Sequence, residues 1–186
     1  EIEDGFQYNI EELFGNLKAA QLADAAAAKQ GKTLNIHLAL NSGGMDRNGL
    51  ALDTESGKAD ALAITKLPHL NIVGIMTHFP VEDVADVKKG VQRFDKQSKW
   101  LIQAAKLDRS KLTLHTANSF TTVSVPEGRF DMVRPGALLY GEPIGGKQLE
   151  YVMAFKSRVG SVNSYPKGST VGYDRTFTLK RDSRLA

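Results

Sequence analysis

Asp131-Met132-Val133-Arg134-Pro135-Gly136-Ala137-Leu138-Leu139-Tyr140-Gly141 is the stretch on which the reading turns. Asp131–Val133, with its apolar Met132–Val133, predicts a buried strand. The strand stops at Arg134, and Pro135–Gly136 bends the backbone straight afterwards. This places Arg134 at the C-terminal mouth of a strand, beside amides with little side-chain bulk at Gly136 and Ala137. A fixed cation next to bare amides is a receptor for an anionic or electron-rich ligand. Three other strand-like runs end in polar residues in the same way: His37 to Arg47, Met76 to Phe79 and His115 to Ser119. The four ends are read as one site.

Working outward, apolar periodicity alternates between strand and helix. Tyr8–Ile10 is a short strand candidate. Glu11–Lys29 predicts a helix, with an acidic first turn, an Ala-rich body and Gly31 as its stop. Leu34–Leu40 predicts a strand, Asn41–Gly49 a Gly-rich loop, and Ser56–Lys66 a second helix. Asn71–Met76 predicts a strand, and Glu82–Leu107 a long helix whose apolar face carries Val84, Val87, Val91, Phe94 and Leu101. Leu112–His115 is a strand, and Phe120–Val125 a short helix or turn ended by Pro126. Such alternation implies an α/β fold with helices packed on a parallel sheet. Polar residues recur at strand C-termini, as in barrels, and no GxGxxG follows a strand. Residues 1–147 are therefore expected to form half of a (β/α)8 TIM barrel. After Gly145-Gly146 the pattern changes. Tyr151–Asn163 alternates apolar and polar, Pro166-Lys167-Gly168 is a turn, and Ser169–Leu179 is β-rich, so residues 148–186 are expected to begin an all-β domain.

Composition narrows the function classes. The net charge is +3, with 41% hydrophobic and 24% charged residues, as in ordinary globular proteins. No Lys/Arg-rich run or RNP-like aromatic motif supports nucleic-acid binding. Cysteine is absent, which excludes disulfides, Cys-ligated metals and thiol catalysis, and slightly favours an oxidising compartment. No apolar run approaches the ~20 residues needed to span a membrane. The chain opens at Glu1 without Met and stops at Leu185-Ala186 inside a strand-like pattern, so it reads as a piece of a longer protein.

Each candidate residue has a plainer alternative. Arg134 could be a strand-end ion pair, and His78, which ends Ile75-Met76-Thr77, a satisfied core histidine. Ser119, next to Asn118, could simply cap a helix; the same geometry also holds a phosphate. The loop with Asn41, Arg47 and Asn48 is by default a connection, and otherwise an anion site. Tyr173, in Val171-Gly172-Tyr173-Asp174-Arg175, could be packing or an exposed functional tyrosine.

Taken together, Asn35-Ile36-His37-Leu38 through Met45-Asp46-Arg47-Asn48-Gly49, Gly74 to Phe79, His115-Thr116-Ala117-Asn118-Ser119, Met132 to Gly141 and Val171-Gly172-Tyr173-Asp174 resemble, in order and spacing, the fold type III alanine racemases that use pyridoxal phosphate (PLP). The GGMDRNG loop carries one glycine more than the usual TGMxRLG pattern. Ala39 stands where the family has a carbamylated lysine, and Asn41 and Asn48 mark the broad-specificity branch. The resemblance implies a PLP-binding barrel, of which this would be the C-terminal half, and a two-base L-to-D racemisation of amino acids including Ala, Lys and Arg. It implies Tyr173 as a catalytic base serving a homodimeric partner's site, and Arg134 as donor to the pyridine nitrogen with His78 linked to it. Asn118, Ser119, Gly136 and Ala137 would serve the cofactor, the last three as phosphate holders. Arg47 would orient Tyr173 and the substrate carboxylate, with a chloride near Arg47, Asn41 and Asn48; no metal is implied. The family's Schiff-base lysine motif has no counterpart in the chain, so this piece alone is expected to be inactive. Other fold type III enzymes (a decarboxylase or a D-amino-acid aldolase) and a non-catalytic PLP-binding protein are the alternatives. The periplasm is favoured over the cytoplasm.

Overall fold

The structure, a computed structural model, describes residues 2–186. The chain divides into two compact units, Glu1–Val152 and Met153–Ala186.

The first unit opens with helix α1 (Ile2–Tyr8) and strand β1 (Glu12–Phe14), followed by α2 (Leu17–Lys29), β2 (Leu34–Ala39), α3 (Glu55–Ile64) and β3 (Leu70–Met76). Then come α4 (Val84–Ala104), β4 (Thr113–His115) and α5 (Ser119–Ser124). The four strands are parallel and lie in chain order, β1-β2-β3-β4. A doubly wound sheet would reverse its order at a switch point; strands that keep adding on one side belong to a barrel. Each main helix starts on a side-chain cap: Asn16 Oδ1 accepts from Ala19 N, Thr54 Oγ1 from Gly57 N, and Asp83 Oδ1 from Asp86 N. Behind the sheet, Ile36, Leu38, Ile75 and Leu114 pack with Ala20, Ala61, Phe94 and Leu101 of the helices.

Three expectations at the chain's start and centre need correction. Tyr8–Ile10 is not a strand; Tyr8 ends a helix, and Asn9 turns the backbone with φ 51°. The helix expected from Glu11 begins only at Leu17, because Leu13 and Phe14 pair with His37 and Leu38 in the sheet and Asn16 supplies the cap. Asp131–Val133 is not a buried strand. Its pairing is limited to a parallel bridge, Ala117 to Val133, with Asp131 N donating to Leu114 O at 3.0 Å, and Met132 and Val133 are 39% and 37% exposed. Asp131 is drawn aside by Arg109 and by Leu114 N at 2.7 Å, and Pro135 has no N–H to extend the ladder.

The second unit pairs β5 (Asn163–Tyr165) with β8 (Ser183–Leu185) and β6 (Thr170–Val171) with β7 (Phe177–Thr178), all antiparallel. The expected turn at 166–168 is present, with Gly168 N donating to Leu179 O. The alternating run Tyr151–Asn163 forms no ladder before Asn163, and Phe155 is 97% exposed. Among the described residues, no strand pairs with this run before Asn163 to bury its apolar side chains.

Candidate active site

The polar strand ends do meet. Arg134 is anchored by its own backbone, which donates to Ala117 O at 2.8 Å and so extends the β4 edge. Its half-buried guanidinium donates from Nη1 to His115 Nδ1 at 2.7 Å and from Nη2 to Thr77 O at 3.0 Å. Burial lowers the pKa of Arg134, yet guanidinium remains the charged form. Thr77 knits the edge together: its Oγ1 donates to Leu40 O at 2.8 Å and accepts from Gly43 N at 3.0 Å. The ends of β2, β3 and β4 are thus tied to one another and to Arg134.

The bond to Arg134 expected of His78 is made instead by His115. His78 lies on the exposed rim; burial, then the charges of Arg134 and Arg47, lower its pKa. His115 is buried, and burial, then Arg134, then His37, hold its pKa down to about 3. Its other nitrogen, Nε2, lies 2.8 Å from His37 Nδ1, and His37 Nε2 lies 2.8 Å from Glu11 Oε2. The two rings meet edge to face, 4.8 Å between centroids. Sequence reasoning gave none of Glu11, His37 and His115 a role of its own, although His37 and His115 open two of the polar strand ends. The available signal was a buried histidine in each of β2 and β4.

Ser119 is not the helix cap. Asn118 fills that role, its Oδ1 accepting from Thr121 N at 2.9 Å. This frees the buried Ser119 hydroxyl to face the loop after Arg134, where it accepts from Gly136 N at 3.0 Å and Leu138 N at 3.3 Å. Ala137 N, at the start of the following turn, has no protein acceptor among the described residues. A side chain at Gly136 would meet nothing within 4 Å, so the space beside these amides is open.

Arg47, Asn41, Asn48 and His78 line a cavity of about 180 Å³ whose wall includes Ala39, Met45 and Met76. A larger side chain at Ala39 would reach into this space. Asn41 is committed to its own loop: Nδ2 donates to Asp46 Oδ1 at 2.7 Å, and Oδ1 accepts from Asp46 N at 3.1 Å. Tyr173 lies in the second unit, in the turn between β6 and β7, and is 98% exposed.

Residues 1–143 match the family model "Alanine racemase, N-terminal domain", and residues 152–186 match "Alanine racemase, C-terminal domain". The chain belongs to the alanine racemase family. It is 59% identical over its whole length to a broad specificity amino-acid racemase of Pseudomonas putida and 50% identical to a lysine racemase of Proteus mirabilis, covering 46% of each. The chain thus spans about half the length of the relatives it matches. Among solved structures it resembles the alanine racemase of D-cycloserine-producing Streptomyces lavendulae, with TM-score 0.84 and 23% identity, over 98% of this chain and 50% of that one. The alanine racemase of Bartonella henselae with covalently bound pyridoxal phosphate gives TM-score 0.75. The fold is therefore part of the racemase TIM barrel followed by the start of its β domain. The family division leaves residues 144–151 between the two matches, and the change of sequence pattern after residue 147 falls within that gap.

Proposed function

We propose that this chain is part of a pyridoxal-phosphate-dependent, broad-specificity amino-acid racemase acting on alanine, lysine and arginine as a homodimer. The observation that carries the reading is the pairing of a fixed guanidinium, Arg134, with the Ser119–Gly136–Leu138 cradle across one strand edge. These residues fit the cofactor's two ends. With one N–H of Nη1 bonded to His115 and one of Nη2 to Thr77, the guanidinium keeps N–H donors, the one on Nε among them, for a pyridine nitrogen. The Ser119 hydroxyl and the amides of Gly136 and Ala137 suit a phosphate, which accepts several N–H and O–H bonds at once. When bound, pyridoxal phosphate supplies the electron sink that makes an amino-acid Cα–H removable.

The chain's own residues then divide the work. Arg134 cannot give up its proton at working pH, so it keeps a ring nitrogen unprotonated and moderates the sink. Tyr173 is the base for one substrate face, offered to the partner subunit's site. A free tyrosine titrates near pH ~10, so it needs neighbouring positive charge to act, and Arg47 is the cation assigned to it and to the substrate carboxylate. The second base is a lysine outside this chain. The cavity beside Ala39 takes a small anion such as chloride, held by Arg47 with Asn48; Asn41 supports it by bracing the loop. Export to the periplasm fits the absence of cysteine.

The full-length protein tests this. Its visible absorbance should show a lysine-bound cofactor, and optical rotation should decay from L-Lys, L-Arg and L-Ala without release of CO2. Tyr173→Phe should suppress Cα proton exchange from one enantiomer far more than from the other; equal losses refute the face-specific role.

A further inference from the structure

We propose that Glu11 and His37 are positioning residues for Arg134, acting through His115. Together they form a one-way row of hydrogen bonds that holds the guanidinium in place. The inference rests on the assignment of Arg134 to the cofactor ring.

The direction of the row follows from chemistry. Guanidinium only donates, so His115 Nδ1, 2.7 Å from Arg134 Nη1, carries no proton. In a neutral imidazole the proton must then sit on Nε2. From there it is donated to His37 Nδ1 at 2.8 Å, which in turn carries none. The proton of His37 is left on Nε2 and points at Glu11 Oε2, 2.8 Å away. Every bond has one donor and one acceptor. Reversing the row, or adding a proton to either ring, would set two N–H groups face to face.

A cation thus stands at one end and a carboxylate at the other, with two neutral rings between them. Low local dielectric strengthens such chains, and each bond polarises the next. The fold reserves space for it. A side chain at Gly74 would collide with the ring of His37, and the β2–β3 register shifts between Ile36 and His37, bringing His37 opposite Gly74. Glu11 is half exposed, so its identity is not imposed by packing. Among the described residues, no hydrogen bond joins any of the three to the cradle at Ser119, which separates their role from phosphate binding.

Neutron diffraction from crystals of the full-length protein locates the ring protons directly. Both His37 and His115 should carry a deuteron on Nε2 and none on Nδ1. Solid-state ¹⁵N spectra of histidine-labelled variants supply the second arm. Glu11→Gln, which keeps an acceptor oxygen, should preserve the His37 signals, and Glu11→Leu should split them between two tautomers. A deuteron on His115 Nδ1, or Glu11→Leu spectra identical to wild type, would overturn the proposal. Both measurements read the rings themselves. An intact row without bound cofactor would sink only the functional reading, and a broken row with cofactor bound would sink only this inference.

Discussion

The imidazole of His37 occupies the space that a side chain at Gly74 would fill. These residues sit opposite each other on β2 and β3, at the point where the strand register shifts. The close approach lets a bulky polar ring lie within a sheet and reach both His115 and Glu11.

Gly74→Ala should therefore act as an overpacking substitution. Its methyl must displace the His37 ring, with an expected loss of about 1–3 kcal/mol in urea-unfolding stability. Crystals of the variant should show the His37–His115 bond lengthened or broken. Unchanged stability together with an unmoved ring would contradict the steric account.

Ser119→Ala removes the acceptor shared by Gly136 N and Leu138 N. Leaving partners unpaired costs about 1–3 kcal/mol. If the hydroxyl also holds the phosphate, the dissociation constant for pyridoxal phosphate should rise about 5- to 100-fold, since 1.4 kcal/mol is tenfold. A spectrophotometric cofactor titration reads this, and an affinity equal to wild type would remove Ser119 from the phosphate site.

Arg134→Met leaves His115 Nδ1 and Thr77 O without their donor. The variant should lose about 1–3 kcal/mol of stability and bind cofactor more weakly. It should also let the pKa of His115 climb, because the Arg134 charge is the second cause of its depression after burial. Histidine ¹⁵N titration checks the climb; an unmoved His115 would mean that burial and His37 hold its value down without the Arg134 charge.

Stability should fall on mild acidification. His115 takes a proton near 6.5 when unfolded but only near 3 when folded. Between those values the unfolded state binds more protons, so stability rises with pH. The contribution is complete above pH ~6.5 and drains away as pH falls toward 3, by up to about 1.4 kcal/mol per pH unit. Burial lowers the pKa of His78 too, which adds to the trend with the same sign. Urea midpoints at pH 7 and 5.5 should differ, and His115→Asn should flatten the difference. A flat wild-type profile would count against a buried neutral His115.

Asn41→Ala should loosen the loop it braces. Both ends of its amide are used by Asp46, whose backbone takes φ 51° there. Proteolysis at 44–48 should become faster while the β2 core holds; an unchanged cleavage rate would show that the loop is ordered by other contacts.

Local chemistry in the chain determined a good deal by itself. Helical periodicity and short apolar runs placed the bodies of α2 to α4 and of β2 to β4, because both are properties of short windows. Pro135 and Gly136 marked the break after Arg134, since their backbone limits are intrinsic. Arg47, Asn41, Asn48 and His78 were legible as neighbours because strand C-termini in an α/β fold share one edge. Only the tertiary structure decided the rest. That Glu12–Phe14 joins the sheet instead of opening a helix depends on pairing with His37 and Leu38, which lie in the next β/α unit. That His115, and not His78, meets Arg134 depends on which strand residue faces inward, set by a register that no local window contains. The row from Glu11 to Arg134 needs three strands and a glycine gap at once, and long-range juxtaposition of that kind is created only when the chain folds.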